Sequence, residues 1–289
     1  MFVTSKPQVR QAGPASQVRR RRQGWWSAYP ARSRPLSRSQ RRRPAALALL
    51  VVLLVWWAAT SAGAVPPVLL PDPLAVAGRV VTWTLDGTVW RYLWPTVAAA
   101  LLGSLMATVT ALVLGIVSSH SRWLAAIVEP FVAFSQTVPL VALAPLLALW
   151  IGYGTLPIAV LAAIIAFFPM ITTTVVGLRG IDMRMIENAW LDGANSWQRL
   201  IHIELPIAAP AILAGIRAGF VLSMTGAIVG EFVIGGSGLG TLLTISREAT
   251  DTTGVFAVLV VIAAVALAFA GLIQKAERAS IRRLQGESI

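Results

Sequence analysis

The sequence predicts an all-α, polytopic membrane protein with about six transmembrane helices. Three observations carry that expectation. Hydrophobic residue types make up 56% of the 289 residues and charged types 12%, about half the charged share usual in a soluble domain. Six stretches, 45–65, 95–117, 131–150, 156–177, 208–230 and 255–274, are apolar over the roughly 20 residues that a helix needs to cross a bilayer core. Five of them lack Asp, Glu, Lys and Arg, and 208–230 carries only Arg217. The chain has no cysteine, which excludes disulfides and thiolate metal sites.

The net charge of +12 sits in residues 1–43, which hold Lys6 and eleven arginines and no acid. Arg, Ser, Pro and Gln dominate there, so 1–44 is expected to be a disordered basic cytoplasmic tail beside anionic headgroups. No base-stacking module accompanies it, so nucleic acid is not the expected partner. Segment 45–94 reads as the first transmembrane helix plus an external segment. Arg41–Arg43, Ala45–Ala59 and Ala62-Gly63-Ala64 resemble a signal peptide. The apolar run continues to Val65, however, and Trp56 and Trp57 stand at its outer end, which favours an uncleaved anchor. Pro66, Pro67, Pro71 and Pro73 make the next stretch extended, and Leu74–Leu93 reads as a helix lying on the outer surface.

Orientation follows from the loops. With both termini in the cytoplasm, inside segments hold 20 Lys and Arg and outside loops hold 3, namely Arg79, Arg91 and Arg247. Residues 95–278 then form the core and 279–289 a cytoplasmic C-terminal tail.

Signals for chemistry are missing. The only lysines, Lys6 and Lys275, lack the Gly-Lys-Ser/Thr context of a phosphate cradle. His120 and His202 are too few for a zinc site, which takes three or four protein ligands. No catalytic residues, metal or cofactor are assigned, and the chain is not expected to be an enzyme. Gly235-Gly236-Ser237-Gly238-Leu239-Gly240 fits neither a dinucleotide fingerprint nor a nucleophile elbow, and reads as a flexible external turn.

Segment 178–207 is the informative region. Its length is unusual for an unstructured connection. Met183, Ile186 and Trp190 recur at helical spacing, Asp182 suits an N-cap, and Gly193 suits the position after the helix where φ is positive. Asn195 or Ser196 can cap a second helix bearing Trp197, Leu200 and Ile201, and Pro206 suits the first turn of the next membrane helix. The result is an elbow pointing into the cytoplasm. Its apolar side either docks into a groove on another protein or packs on the end of the bundle.

Glu187-Asn188-Ala189, three residues, Gly193, nine residues, then Ile203-Glu204-Leu205-Pro206 resembles the EAA motif of bacterial ABC importer permeases, with Asn188 in place of the first Ala. Val138–Leu146, Trp150–Gly154, Phe167-Phe168-Pro169, Gly230-Glu231-Phe232 and Gly238-Leu239-Gly240 are similar to the nitrate/sulfonate/taurine branch, whose signatures thiamine-precursor and riboflavin permeases share. The likeness runs from about residue 87 to 278. It implies a type I importer bundle in a bacterial cell membrane. Two permease subunits, often identical, would pair with two cytoplasmic ATPase subunits and an external substrate-binding protein. It also implies alternating access driven through 178–207. Gly193 would set the bend, Glu187 and Ala189 would make or support the ATPase contact, and Ile203, Leu205 and Pro206 would join the elbow to the next span.

Other residues are candidates for the path. Arg217 is a charge within a span, which should face the bundle interior or a wet cavity, either lining an anion's route or serving structure. Glu231 serves an external gate or faces water. Gln136 and Thr172–Thr174 either line a pore or bond between helices. The competing function is a stand-alone ion-coupled secondary transporter, which often shows inverted repeats and buried coupling carboxylates.

Overall fold

A computed structural model describes residues 38–135 and 137–286, with side chains described for 47, 48, 50–135 and 137–275. Residues 1–37 of the expected disordered tail and Gln136 therefore lie outside the described residues, whereas residues 38–44, expected to be disordered, are helical. The chain divides into two units after Val55. The first contributes most of helix α1 (Arg38–Ser61), and the second holds the elements that follow.

α2 (Pro73–Leu85) starts where Asp72 accepts from the backbone N–H groups of Leu74 and Ala75, with Pro73 in the first turn. The expected surface helix 74–93 is cut in two. Asp86 ends α2, and Gly87, at φ +86°, turns the chain into α3 (Thr88–His120). Glycine adopts that φ without steric cost. Trp90 and Trp94 thus belong to α3 and not to a surface helix.

The span expected at 131–150 is also broken. α4 (Arg122–Ser135) and the helical segment Leu140–Ile151 are bent by 97° from one another. That segment opens as a short 3₁₀ turn, Leu140–Leu143, and continues as α5 (Ala144–Ile151). Pro139 and Pro145 flank the 3₁₀ turn, and each lacks the N–H that a continuous helix would use. α6 (Thr155–Arg179) follows, then α7 (Met183–Leu191), α8 (Ser196–Arg199), a π turn (Leu200–Glu204), α9 (Leu205–Ile234), α10 (Leu239–Glu248) and α11 (Thr252–Gly286). Among the described residues four helices are long and apolar enough to cross a membrane: Thr88–His120, Thr155–Arg179, Ser196–Ile234 and Thr252–Lys275. The bent pair makes a fifth if it is one span.

α3, α6 and α9 pack on one another to form the centre of the second unit. Ala162 of α6 lies between two glycines at one level. A Cβ on Gly103 of α3 would come within 2.8 Å of the Ala162 Cβ, and one on Gly226 of α9 within 2.9 Å of its Cα. Small residues let membrane helices approach this closely and gain dispersion contact, since lipid offers no hydrophobic drive between helices. The Ser223 hydroxyl of α9 adds a buried bond, donating to the Ala100 carbonyl of α3 at 2.7 Å. Large apolar side chains such as Leu105, Leu149 and Leu267 point outward, the arrangement suited to an apolar solvent.

Candidate functional site

The elbow is built from local signals. The Asp182 carboxylate accepts from the Arg184 N–H at 3.0 Å and opens α7. At its other end Gly193 has φ +82°. Its N–H bonds to Trp190 O and the Ala194 N–H to Ala189 O, both at 3.0 Å. This paired closure satisfies carbonyls that the helix end leaves open. Asn195 and Gln198 then cap α8 reciprocally, at 2.8 and 3.0 Å.

Pro206 lies in the first turn of α9, as expected, and α9 is continuous with α8 through the π turn, so one helical run spans Ser196–Ile234. The π turn makes this possible, with the Leu205 N–H reaching back to Leu200 O. A proline ring crowds the carbonyl four residues before it, and the wider turn relieves that crowding.

The two faces of the elbow differ. Ile186 is half-buried and packs on Leu178, Ile181, Ala208 and Ile212, and Ala189 is buried. On the same short elements Met183, Trp190, Leu191 and Trp197 are exposed at 61, 62, 86 and 68%. Glu187, Gly193 and Pro206 are exposed, and Ile203 and Leu205 are half-buried. Ile186 and Ala189 thus hold the elbow to the bundle while large apolar side chains beside them remain exposed.

A cluster at the elbow's base is not legible in the sequence. Glu204 is 4% exposed and Arg199 is 8% exposed. Arg199 Nε lies 2.6 Å from Glu204 Oε1, and His120 Nε2, at the end of α3, lies 2.7 Å from Oε2. In a regular α-helix residues five apart diverge by about 140° around the axis, so Arg199 and Glu204 do not read as a pair. The π turn brings them to one side.

At the end of α9 away from the elbow Glu231 is 1% exposed. It accepts from the Thr96 hydroxyl and from the Gly240 N–H, each at 2.9 Å. The glycine-rich turn wraps this carboxylate. A Cβ on Gly240 would sit 2.2 Å from Ile228 O, and one on Gly238 2.0 Å from Glu231 Oε1. A short helix, α10, then follows in place of the expected loop. Beside it Asp251 caps α11, accepting from the Gly254 N–H at 2.9 Å, and pairs with Arg79 of α2. Burial pushes the Asp251 carboxyl up, but the Gly254 bond and the Arg79 guanidinium outweigh it and hold the group below its usual value of 3.8.

Arg217 is half-buried in α9. Thr172, Thr173 and Thr174 bond back to carbonyls of their own helix, at Phe168, Pro169 and Met170. Thr172 and Thr173 also line a cavity of about 410 Å³ together with Ser135, Leu140, Phe168 and Leu222.

Residues 107–283 match the family of binding-protein-dependent transport system inner membrane components. Over 213 residues the chain is 40% identical to the riboflavin transport system permease protein RibX of Chloroflexus aurantiacus, covering 73% of this chain and 80% of the relative. Over 211 residues it is 28% identical to the formylaminopyrimidine transport permease protein ThiX of Halalkalibacterium halodurans, covering 73% and 84%. Its fold is similar to a chain of the MetNI methionine ABC transporter in an inward-facing conformation, with a TM-score of 0.57 and 20% identity over 70% of this chain and 98% of that one. The match over most of the core, together with the capped elbow between α6 and α9, makes this chain a member of the binding-protein-dependent transport system inner-membrane family, the permease subunits of ABC importers.

Proposed function

We propose that two copies of this chain form the pore of a bacterial importer driven by two cytoplasmic ATPase subunits and supplied by an external binding protein. The single observation that carries this reading is the exposed apolar face of the elbow. Met183, Trp190, Leu191 and Trp197 crowd one short, rigidly capped element. Exposed aromatic and aliphatic anchors of this kind suit a protein interface. The sequence carries no phosphate cradle of its own, so the driving hydrolysis belongs to a partner.

In this reading the elbow lies in the cytoplasm, as do both termini. Closure of the ATPase dimer pushes the elbow as one body, and the helices exchange an outward-open for an inward-open arrangement. Glu187 borders the docked face and Ala189 supports it from within. Gly193 sets the bend, and Ile203, Leu205 and Pro206 carry the motion into α9. The cavity bordered by Phe168, Thr172 and Thr173 forms part of the solute's path, with Gln136 and Arg217 as further polar positions along it. Glu231 belongs to the external gate. The cargo is a small heteroaromatic solute of the flavin or pyrimidine kind, a choice that rests on the two named relatives.

Proteoliposomes holding this chain with its cognate ATPase and binding protein test the reading. Uptake of riboflavin or formylaminopyrimidine that requires ATP and all three components is expected. Glu187→Lys is expected to abolish it, and Gly193→Val to reduce it sharply, while the protein still inserts. Uphill uptake by this chain alone, driven by an ion gradient, would falsify the proposal.

A further inference from the structure

The Glu204 carboxylate joins two parts of the chain that are 84 positions apart, which its place in the sequence motif does not suggest. One oxygen takes Arg199 Nε at 2.6 Å and the other takes His120 Nε2 at 2.7 Å. The Arg199 guanidinium also lies 5.3 Å from the ring centroid of Trp190, an exposed side chain of α7. Trp190, Arg199, Glu204 and His120 therefore make an unbroken line from the surface of the elbow to the last turn of α3. That helix packs along α6 and α9 for the depth of the bundle.

The line passes through a π turn, Leu200–Glu204. Single π turns inside helices are uncommon and frequent at functional sites. Here the turn has a specific geometric effect, because Arg199 and Glu204 share a side only while it is present. In a regular helix they diverge by about 140°. In addition, Nη1 of Arg199 is buried without a hydrogen-bond partner.

We propose that Glu204 is a positioning residue that ties α3 to the elbow, and that the π turn is the two-state element of the coupling. With the turn in place, the Arg199–Glu204–His120 cluster is closed and α3 moves with the elbow. When the turn is drawn out to regular helix, Arg199 leaves Glu204 and α3 is released. This rests on the ATPase-driven reading above and names the residues through which force passes from the docked face to a membrane helix other than α9. Physical contiguity alone does not establish coupling, so the test reads coupling directly.

The wild-type complex in lipid nanodiscs, with ATPase and binding protein, is measured first. If it shows no ATPase stimulation by loaded binding protein, the driven-importer reading fails, independently of the relay. In a working complex, His120→Ala and Glu204→Gln are expected to keep the ATPase subunits bound. The ratio of stimulated to basal ATPase should fall by at least about fivefold, the range of a coupling free energy, and uptake should fall with it. His120→Lys, which returns an N–H donor within reach of Glu204, is expected to recover part of the ratio. Full stimulation and uptake in His120→Ala and Glu204→Gln would overturn the proposal. So would loss of the ATPase subunits from both variants, because the cluster would then serve docking alone. Should Glu204→Gln fail to fold, His120→Ala, whose side chain is partly exposed, still separates a coupling role from none.

Discussion

The Thr96 hydroxyl stands between the Glu231 carboxylate and the backbone of the glycine-rich turn, donating to Glu231 at 2.9 Å and accepting from the Leu239 N–H at 2.8 Å. One side chain of α3 thereby holds α9 and the start of α10 together at the end of the bundle away from the elbow. The Gly240 N–H closes the ring on the same carboxylate. A turn that composition marks as flexible is tied to a buried acid at two successive backbone positions, through Thr96 at Leu239 and directly at Gly240.

Thr96→Val keeps the shape of residue 96 but removes its bonds to Glu231 and Leu239. It leaves the buried Leu239 N–H without an acceptor, and an unsatisfied buried group costs about 1–3 kcal/mol. A lower unfolding temperature in detergent is expected. Gly240→Ala is expected to be more damaging than Gly238→Ala. At 240 the new methyl meets backbone, Ile228 O, whereas at 238 it meets the end of the Glu231 side chain. Thermal unfolding of the three purified variants checks the order, and equal losses for the two glycine variants would remove the wrapped-carboxylate account.

Gly193 offers a cleaner test of the bend. No atom lies within 4 Å of the place where its Cβ would be, so substitution acts through φ +82° alone. A side chain in that left-handed region costs about 1–2 kcal/mol for most residues and less for Asn, which adopts it more readily. Uptake is therefore expected to fall in the order Gly, Asn, Ala, Val at position 193. Val equal to Asn would mean that the bend does not depend on the glycine conformation.

These two sites show what is legible in the sequence. The elbow's caps are local, so Asp182, Gly193 and Asn195 announce themselves by residue type and spacing. Long apolar runs likewise locate α3, α6, α9 and α11. The ring around Glu231 is assembled from residues 135 and 9 positions apart, and Thr96 looks like any threonine near a helix start. The Arg199–Glu204 pair is hidden by the assumption of 3.6 residues per turn. The bend between α4 and Leu140 and the cut at Asp86-Gly87 go unseen when apolar content is weighed over proline and glycine.

The tie between α2 and α11 has a pH signature. The Asp251 carboxyl is held below 3.8 in the folded chain, so the folded state binds fewer protons at that site than the unfolded one. Its contribution to stability is then fully present above about pH 4, near the unfolded value, and is lost as pH falls through the lower folded value. Arg79 and Asp251 are about a third exposed, so the pair contributes under about 1 kcal/mol. The difference in unfolding temperature between wild type and Arg79→Ala is expected to be small and flat from pH 5 to 8 and to shrink below pH 4. A difference that grows on acidification would contradict the pairing.

The outward face of the elbow separates binding from folding. Leu191 and Trp197 are exposed at 86 and 68%, so cutting either back to alanine removes little packing within this chain, and surface changes of this sort stay within about 0.5 kcal/mol. At a docked interface an aromatic anchor costs about 2 kcal/mol or more when truncated. Trp197→Ala is therefore expected to leave the unfolding temperature of the isolated subunit unchanged while weakening capture of the ATPase by about 30-fold, the equivalent of that free energy. Leu191→Ala should act in the same direction and less strongly. Titration of the purified ATPase against the nanodisc-embedded subunit measures both. Unchanged affinity in the double variant would place the docking contact elsewhere, whereas a matching loss of subunit stability would mean that these side chains pack against their own chain.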